Sequence, residues 1–254
     1  IILGLIAVGA LLTAGGWAAQ SKEPPPAKNT TTSTTTTTAP KATTTSPGIK
    51  STKAYKNLYK KISNKELKST ADLLKRPEVE IVARVIYGEN VSNVAEQNAF
   101  GLVIMNRKAK GGEFDNKSYK SIVTQGNGSH FNALKSSNAR KANNKNGAKW
   151  DNAKHVAVLI CLNKRSEITN SLKVSKTQTH FLAIGSNSWK ESYKGKLKHG
   201  GIIKRSGKEW LSFNTTRKNP ATNKNETAYF EMTGKITGKD SVFFGYDQSS
   251  YIFK

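Results

Sequence analysis

The sequence predicts an α+β domain in which helices come first and strands last. Apolar residues recur at helical spacing between Glu78 and Arg165. After Ser171 the pattern turns to alternation, and Ser206-Gly207 separates two short apolar runs, a hairpin signal. The helical and strand-like stretches do not interleave, which argues against the βαβ units of a parallel sheet. No internal repeat is visible.

The chain opens with IILGLIAVGALLTAGGWAA, nineteen residues without a charge. Such a run approaches the ~20 residues that span a bilayer. Residues 1–20 are therefore expected to be a hydrophobic signal peptide or a membrane anchor, and either one sends the remainder out of the cytoplasm. Residues 21 to about 50 are rich in Thr and Pro and cannot assemble a core. Residues 51–70 are lysine-rich with scattered Tyr and Leu, and read either as a basic tether for an anionic polymer or as a solvated lead-in helix. Residues 21–68 are expected to be a disordered linker, and 69–254 a single folded domain.

Within that domain, Val79, Val82, Ala83 and Ile86 share one helix face. Pro77 suits the start of this helix, and Glu78 and Glu80 suit its positive end. Gly88 is a plausible stop. Asn93 followed by Glu96 has capping-box spacing and opens a second helix, with Ala95, Asn98, Ala99, Leu102, Val103 and Asn106 on one face. Glu89 thus falls at the corner between two helices. Residues 111–115 read as a loop and 118–123 as a short helix. Residues 125–131 form a glycine-rich loop carrying His130 and Phe131. A further helix runs from Trp150 to near Arg165, and residues 177–184 alternate like a strand.

Lys and Arg total 41 against 17 Asp and Glu, a net charge of +24. The excess calls for a polyanionic partner: nucleic acid, an anionic membrane or a teichoic-acid-bearing wall. No nucleic-acid-binding motif accompanies the charge, so nucleic acid is not expected. Cys161 is the single cysteine and lies in an apolar helical run, which reads as a core thiol. The histidines 130, 155, 180 and 199 are dispersed, with no HExxH and no paired Cys, so no metal or other cofactor is expected. There is no GxSxG. A carboxylate remains as the candidate for chemistry. Glycan cleavage needs a protonated acid at the leaving oxygen, and a carboxyl group in an apolar pocket supplies one. Glu89 is the candidate, because an ordinary Glu at a helix C-terminus is mildly unfavourable.

The run ValAlaArgValIleTyrGlyGlu (82–89), then Gln97 and Ala99, then ValIleMetAsnArg (103–107), resembles the spore-cortex-lytic (SleB-type) family of cell-wall hydrolases. Weaker similarity continues at His130-Phe131, at Thr179-His180-Phe181 with Trp189, and at Ser241–Phe244. Gly88, His130 and Ser241 stand where the family pattern has Ala, Gln and His. The segment between Trp189 and Ser241 is longer than that pattern leads one to expect. The resemblance implies a lysozyme-like helical domain with a C-terminal β-rich part, and a peptidoglycan-cleaving enzyme with Glu89 as its single essential acid. It implies a lytic transglycosylase, secreted or membrane-anchored, with peptidoglycan glycan strands as partner. The basic surface suits anionic wall polymers, and residues 1–20 alone would meet the membrane. Candidate substrate-binding residues are Tyr87, Gln97, Asn106, His130, Phe131, His180 and Trp189. Of these, Tyr87 reads equally as core, Asn106 as a tie between helix and loop, and Trp189 as a loop anchor. A hydrolytic lysozyme would need a second carboxylate, about 5–5.5 Å away for retention or about 6.5–9.5 Å for inversion. Glu96, Glu113 and Asp115 are candidates for it. The alternatives are a muramidase, an amidase, and a non-catalytic wall-binding protein that uses its basic face.

Overall fold

The computed structural model describes residues 48–128, 130–184, 201–212 and 215–253. The expected signal or anchor, most of the expected linker, Trp189 and His199 lie outside the described residues. Among the described residues no helix is long and apolar enough to cross a membrane.

The architecture is α+β. Among the described residues seven α-helices come first: α1 Lys53–Lys60, α2 Thr70–Leu74, α3 Glu78–Glu89, α4 Val94–Lys110, α5 Tyr119–Gly128, α6 Ser137–Lys141 and α7 Gly147–Cys161. Six described strands follow: β1 His180–Ala183, β2 Ile202–Arg205, β3 Lys208–Leu211, β4 Thr216–Lys218, β5 Asn225–Thr237 and β6 Ser241–Phe253. They pair in the order β1-β6-β5-β3-β2, with β4 also on β5, and every pairing is antiparallel. The β2–β3 turn at Ser206-Gly207 has positive φ at both residues, 51° and 74°. That is the turn whose twist matches a two-residue hairpin.

The linker expectation needs correction at its C-terminal end. The described chain is already folded at residues 48–68, and α1 packs on α7. Thr52 caps α1 by accepting from the Tyr55 amide at 3.2 Å, and the Tyr55 hydroxyl meets His155 Nδ1 at 2.8 Å. Tyr55, Ile62 and Leu67 are buried. The scattered aromatic and aliphatic residues of a lysine-rich stretch therefore mark its inward face. A second correction concerns α7. It begins at Gly147 and ends at Cys161, short of Arg165, because Asn163 turns left-handed at φ 56°.

α3 is the centre of the helical layer and is buried from Val79 to Tyr87. Its length includes two charges with almost no solvent contact, Glu80 at 1% exposure and Arg84 at 0%. Arg84 Nε donates to Glu80 Oε1 at 2.8 Å. Its Nη1 and Nη2 donate to five backbone carbonyls, those of Ala139, Arg140, Ala142, Ser63 and Lys65. Glu80 Oε2 accepts the Ser63 amide at 3.2 Å. Buried charge is tolerated when its partners are supplied this completely. The guanidinium also stands 5.5 Å from the centroid of the fully buried Trp150.

A second buried acid joins helices to sheet. Glu96, 0% exposed, accepts the amides of Asp240 and Ser241 at 2.6 and 3.2 Å. Its other oxygen accepts from Asn90 Nδ2 at 2.7 Å. The predicted N-cap Asn93 is present and accepts from the Ala95 and Glu96 amides. The reciprocal half of the capping box is not, because the Glu96 carboxylate is turned to the β5–β6 connection. The sheet presents Phe181 and Phe243 to the helical core, while Val242, Phe244, Ile202, Leu211 and Met232 form a smaller cluster of their own.

Arg84→Met would strand the Glu80 carboxylate and leave the five carbonyls without these donors. Thermal and denaturant unfolding should show a loss of about 3–5 kcal/mol, the range for breaking a buried pair from one side. The double variant Glu80→Leu/Arg84→Met should lose less than the sum of the two single variants.

Candidate active site

Glu89 is the last residue of α3. The preceding Gly88 lets the 131–139 segment press against the helix end. A Cβ on Gly88 would fall 2.9 Å from Ala133 Cβ, 3.0 Å from Ala139 Cβ and 3.1 Å from Ser136 Oγ. This close approach is the physical reason for glycine at this position. The Ala133 amide then donates to Glu89 Oε1 at 3.0 Å. The segment reaches that position because the chain breaks from helix at Gln125 (ψ 139°) and stays left-handed through Gly126, Asn127 and Gly128.

Glu89 keeps partial exposure, yet enough protein surrounds its carboxylate to push the pKa up to about 7. Desolvation is the main cause, opposed by the Ala133 hydrogen bond and by the positive charge of Arg107. The C-terminal end of α3 acts in the same direction as desolvation, since its carbonyls disfavour an anion. At neutral pH the group is therefore divided between acid and base.

Arg107, on α4, is 3% exposed and is surrounded by the rings of Phe131, Phe114 and Phe181 at 4.7, 5.0 and 5.6 Å. Its Nε donates to the Thr179 carbonyl at 2.6 Å, and its buried Nη1 has no partner among the described residues. Burial pushes its pKa down to about 10, against the opposing pull of Glu89 and Glu113. A cleft of about 530 Å³ opens against Arg107 and is also lined by His130, His180, Arg217, Phe230 and Tyr246, with Glu113, Gln125, Phe181 and Thr215. Glu89 is not among its lining residues. Arg107 is common to both places, since it lines the cleft and acts on Glu89 through its charge.

The structure separates the sequence candidates. His130 and His180 line the cleft, and both pack near Phe114, at 6.3 and 5.6 Å between centroids. Both have lowered pKa values, first through desolvation and then through Arg107. Phe131 is fully buried under Arg107, so it is wall-backing rather than groove floor. Tyr87 is buried edge-on against Trp150 at 5.8 Å. Gln97 donates to the Asn90 carbonyl at 2.7 Å and accepts from Asn152. Asn106 donates to the carbonyls of Ser175 and Gln178 and accepts from Arg165. Tyr87, Gln97, Asn106 and Phe131 are thus corrected from substrate-binding to structural roles, because neighbouring protein groups occupy them.

Cleft residues the sequence reading passed over are Arg217, Phe230 and Tyr246. They lie on three strands, and no local motif connects them. Glu113 is held by Lys110 at 2.7 Å and by the Tyr246 hydroxyl. Cys161 is partly buried, with its thiol pushed up to about 12 by burial and by Glu78. Such a thiol is not an activated nucleophile. Among the described residues no cluster of three or more His, Cys, Asp or Glu is placed to hold a metal ion.

No protein-family model, curated protein or solved structure gives a significant match to this chain. The geometry of the α3 corner therefore stands as the basis for a functional reading.

Gly88→Ala would force the 133–139 segment away from the end of α3. A loss of about 1–3 kcal/mol is expected from overpacking of this kind, measurable by denaturant unfolding. The Ala133 hydrogen bond to Glu89 should weaken with it, visible as faster exchange of the Ala133 amide.

Proposed function

We propose that the protein is a peptidoglycan-cleaving lytic transglycosylase of the spore-cortex-lytic type, with Glu89 as its single acid and base. The observation that carries this reading is the carboxyl of Glu89 at a desolvated helix end, with its pKa raised to about 7. A helix that ends in such an acid beside a β-rich part fits a lysozyme-like arrangement. The resemblance of residues 82–107 to that family supports the same assignment.

In the first step Glu89 donates its proton to the oxygen that links MurNAc to GlcNAc, and the bond from the MurNAc anomeric carbon to that oxygen breaks. In the second step the resulting carboxylate removes the proton of the MurNAc 6-hydroxyl as that oxygen bonds to the same anomeric carbon. A 1,6-anhydro end forms, water is not consumed, and Glu89 recovers its proton. One carboxylate suffices when its pKa lies near the working pH. Two of the three other carboxylates considered support this economy: Glu96 is committed to the β5–β6 connection, and Glu113 to Lys110 and Tyr246. The charge of +24 suits an acidic wall as the working surface.

Digestion of purified peptidoglycan, read by mass spectrometry, should yield anhydro-ended fragments. Reducing ends would point instead to a muramidase, free stem peptides to an amidase, and binding without release to a wall-binding module. Glu89→Gln should lower cleavage by at least about 100-fold, the usual contribution of a positioned acid–base group. Full activity in that variant would remove Glu89 from the mechanism.

The pH dependence has a defined sign. Cleavage should be supported below about pH 7 and fall as Glu89 loses its proton above it. Because the folded pKa lies above the ordinary value of 4.5, the folded protein binds the extra proton between these values. Stability from this group is full below about 4.5 and is lost as pH rises through 7. Relative to wild type, Glu89→Gln should gain stability between pH 4 and pH 8, by about 3 kcal/mol at most.

A further inference from the structure

The two arginines of the cleft differ from Arg84 in what they bind. Arg84 directs its donors to Glu80 and five carbonyls. Arg107 makes its one hydrogen bond through Nε to Thr179, and its buried Nη1 has no acceptor among the described residues. Orphaned buried donors are rare, because they cost the full price of dehydration. Arg217 reaches the same cleft from β4. Its guanidinium lies 4.5 Å from the Tyr251 ring centroid and 5.3 Å from that of Phe230. No hydrogen-bond acceptor or ion-pair partner for it is present among the described residues. A guanidinium held against aromatic faces keeps its edge for a planar anion.

The surroundings favour an anionic ligand with an organic body. The carboxylate in the lining, Glu113, is already engaged by Lys110 and Tyr246. His130 and His180 add no competing anion. Phe181, Phe230 and Tyr246 supply aromatic wall. A cleft of about 530 Å³ is far larger than an inorganic ion and falls in the range of organic-ligand sites.

We propose that this cleft is a carboxylate-binding subsite that takes the peptide stem of peptidoglycan, with Arg107 and Arg217 as its paired anchors. The identity of the peptide rests on the cell-wall reading above, whereas the anion site rests on the two arginines. Arg107 holds the inner end and is fixed by the Thr179 carbonyl. Arg217 closes on the carboxylate from the sheet side. The glycan bond and the stem would then be held at two neighbouring places that share Arg107, which makes strands carrying peptide the preferred substrate.

The test uses the full chain carrying Glu89→Gln, so that binding is read without turnover. The probe is the soluble tetrapeptide stem, measured by calorimetry, beside the same peptide with its carboxyl groups amidated and a soluble poly(glycerol phosphate). The free-acid peptide should bind saturably, and amidation should abolish binding. Adding Arg217→Gln should weaken it at least tenfold, and Arg217→Lys should recover only part, since an ammonium lacks the fork. Thermal unfolding of each variant checks that the sheet is intact. Absence of saturable peptide binding, or equal affinity with Arg217→Gln, overturns the subsite. Stronger binding of the phosphate polymer at the same place overturns the carboxylate assignment. If wild type releases no glycan fragments but the peptide binds through Arg217, the glycosidase reading fails and the subsite stands. Cleavage without peptide binding gives the converse.

Discussion

Arg84 and Glu80 lie on adjacent turns of α3, and neither is more than 1% exposed. Removing both charges from water is costly, so the chain around them is arranged to compensate. Carbonyls from residues 63–65 and from residues 139–142 turn inward to the guanidinium. One buried cation therefore fixes the N-terminal lead-in, α3 and the connection through α6 in a single register. The end of α3 inherits that fixity, and the end of α3 is where Glu89 stands. Substituting well-packed apolar residues for such a pair is often nearly neutral in free energy, so its value here is in specifying geometry.

The helix corner and the sheet are joined by the same kind of device. Glu96 binds the β5–β6 connection through two amides, and Asn90 lies between Glu96 and Asp240. Asn106 and Arg107 hold the segment that leads into β1 through the carbonyls of Ser175, Gln178 and Thr179. Desolvation of Glu89 follows from this rigidity. The 131–139 segment packs against the end of α3 at Gly88, and burial of this corner is the main cause that raises the Glu89 pKa. Among the described residues two buried donors have no partner, Arg107 Nη1 and Arg140 Nε, and of the two residues Arg107 lines the cleft.

Much of the helical layer was legible in the sequence. The periodicity of residues 79–86 and 95–106 located α3 and α4, and Asn93 was read as the cap that it is. Ser206-Gly207 announced a hairpin because its chemistry is local. The fold of the lead-in is hard to see in the sequence because six lysines in residues 51–70 hide three inward residues, Tyr55, Ile62 and Leu67, whose partners are distant in sequence. The spacing of Glu96 to Asn93 suggests a capping box, whereas the two amides that its Oε1 accepts lie more than 140 residues away. Polar residues on α3 and α4 looked like ligand contacts because a sequence does not distinguish a donor aimed at substrate from one aimed at a buried carbonyl.

By itself, then, the sequence determined the order of helices and strands, the cap at Asn93, the turn at Ser206-Gly207 and the position of an acid at a helix corner. Each of these depends on neighbours within a few residues. Tertiary structure alone decided that Glu89 is desolvated, that Arg84 is saturated while Arg107 is not, and that Arg217 shares a cleft with Arg107. The physical reason is that dielectric environment and hydrogen-bond satisfaction are properties of the groups packed around a side chain, and those groups come from the far ends of the chain.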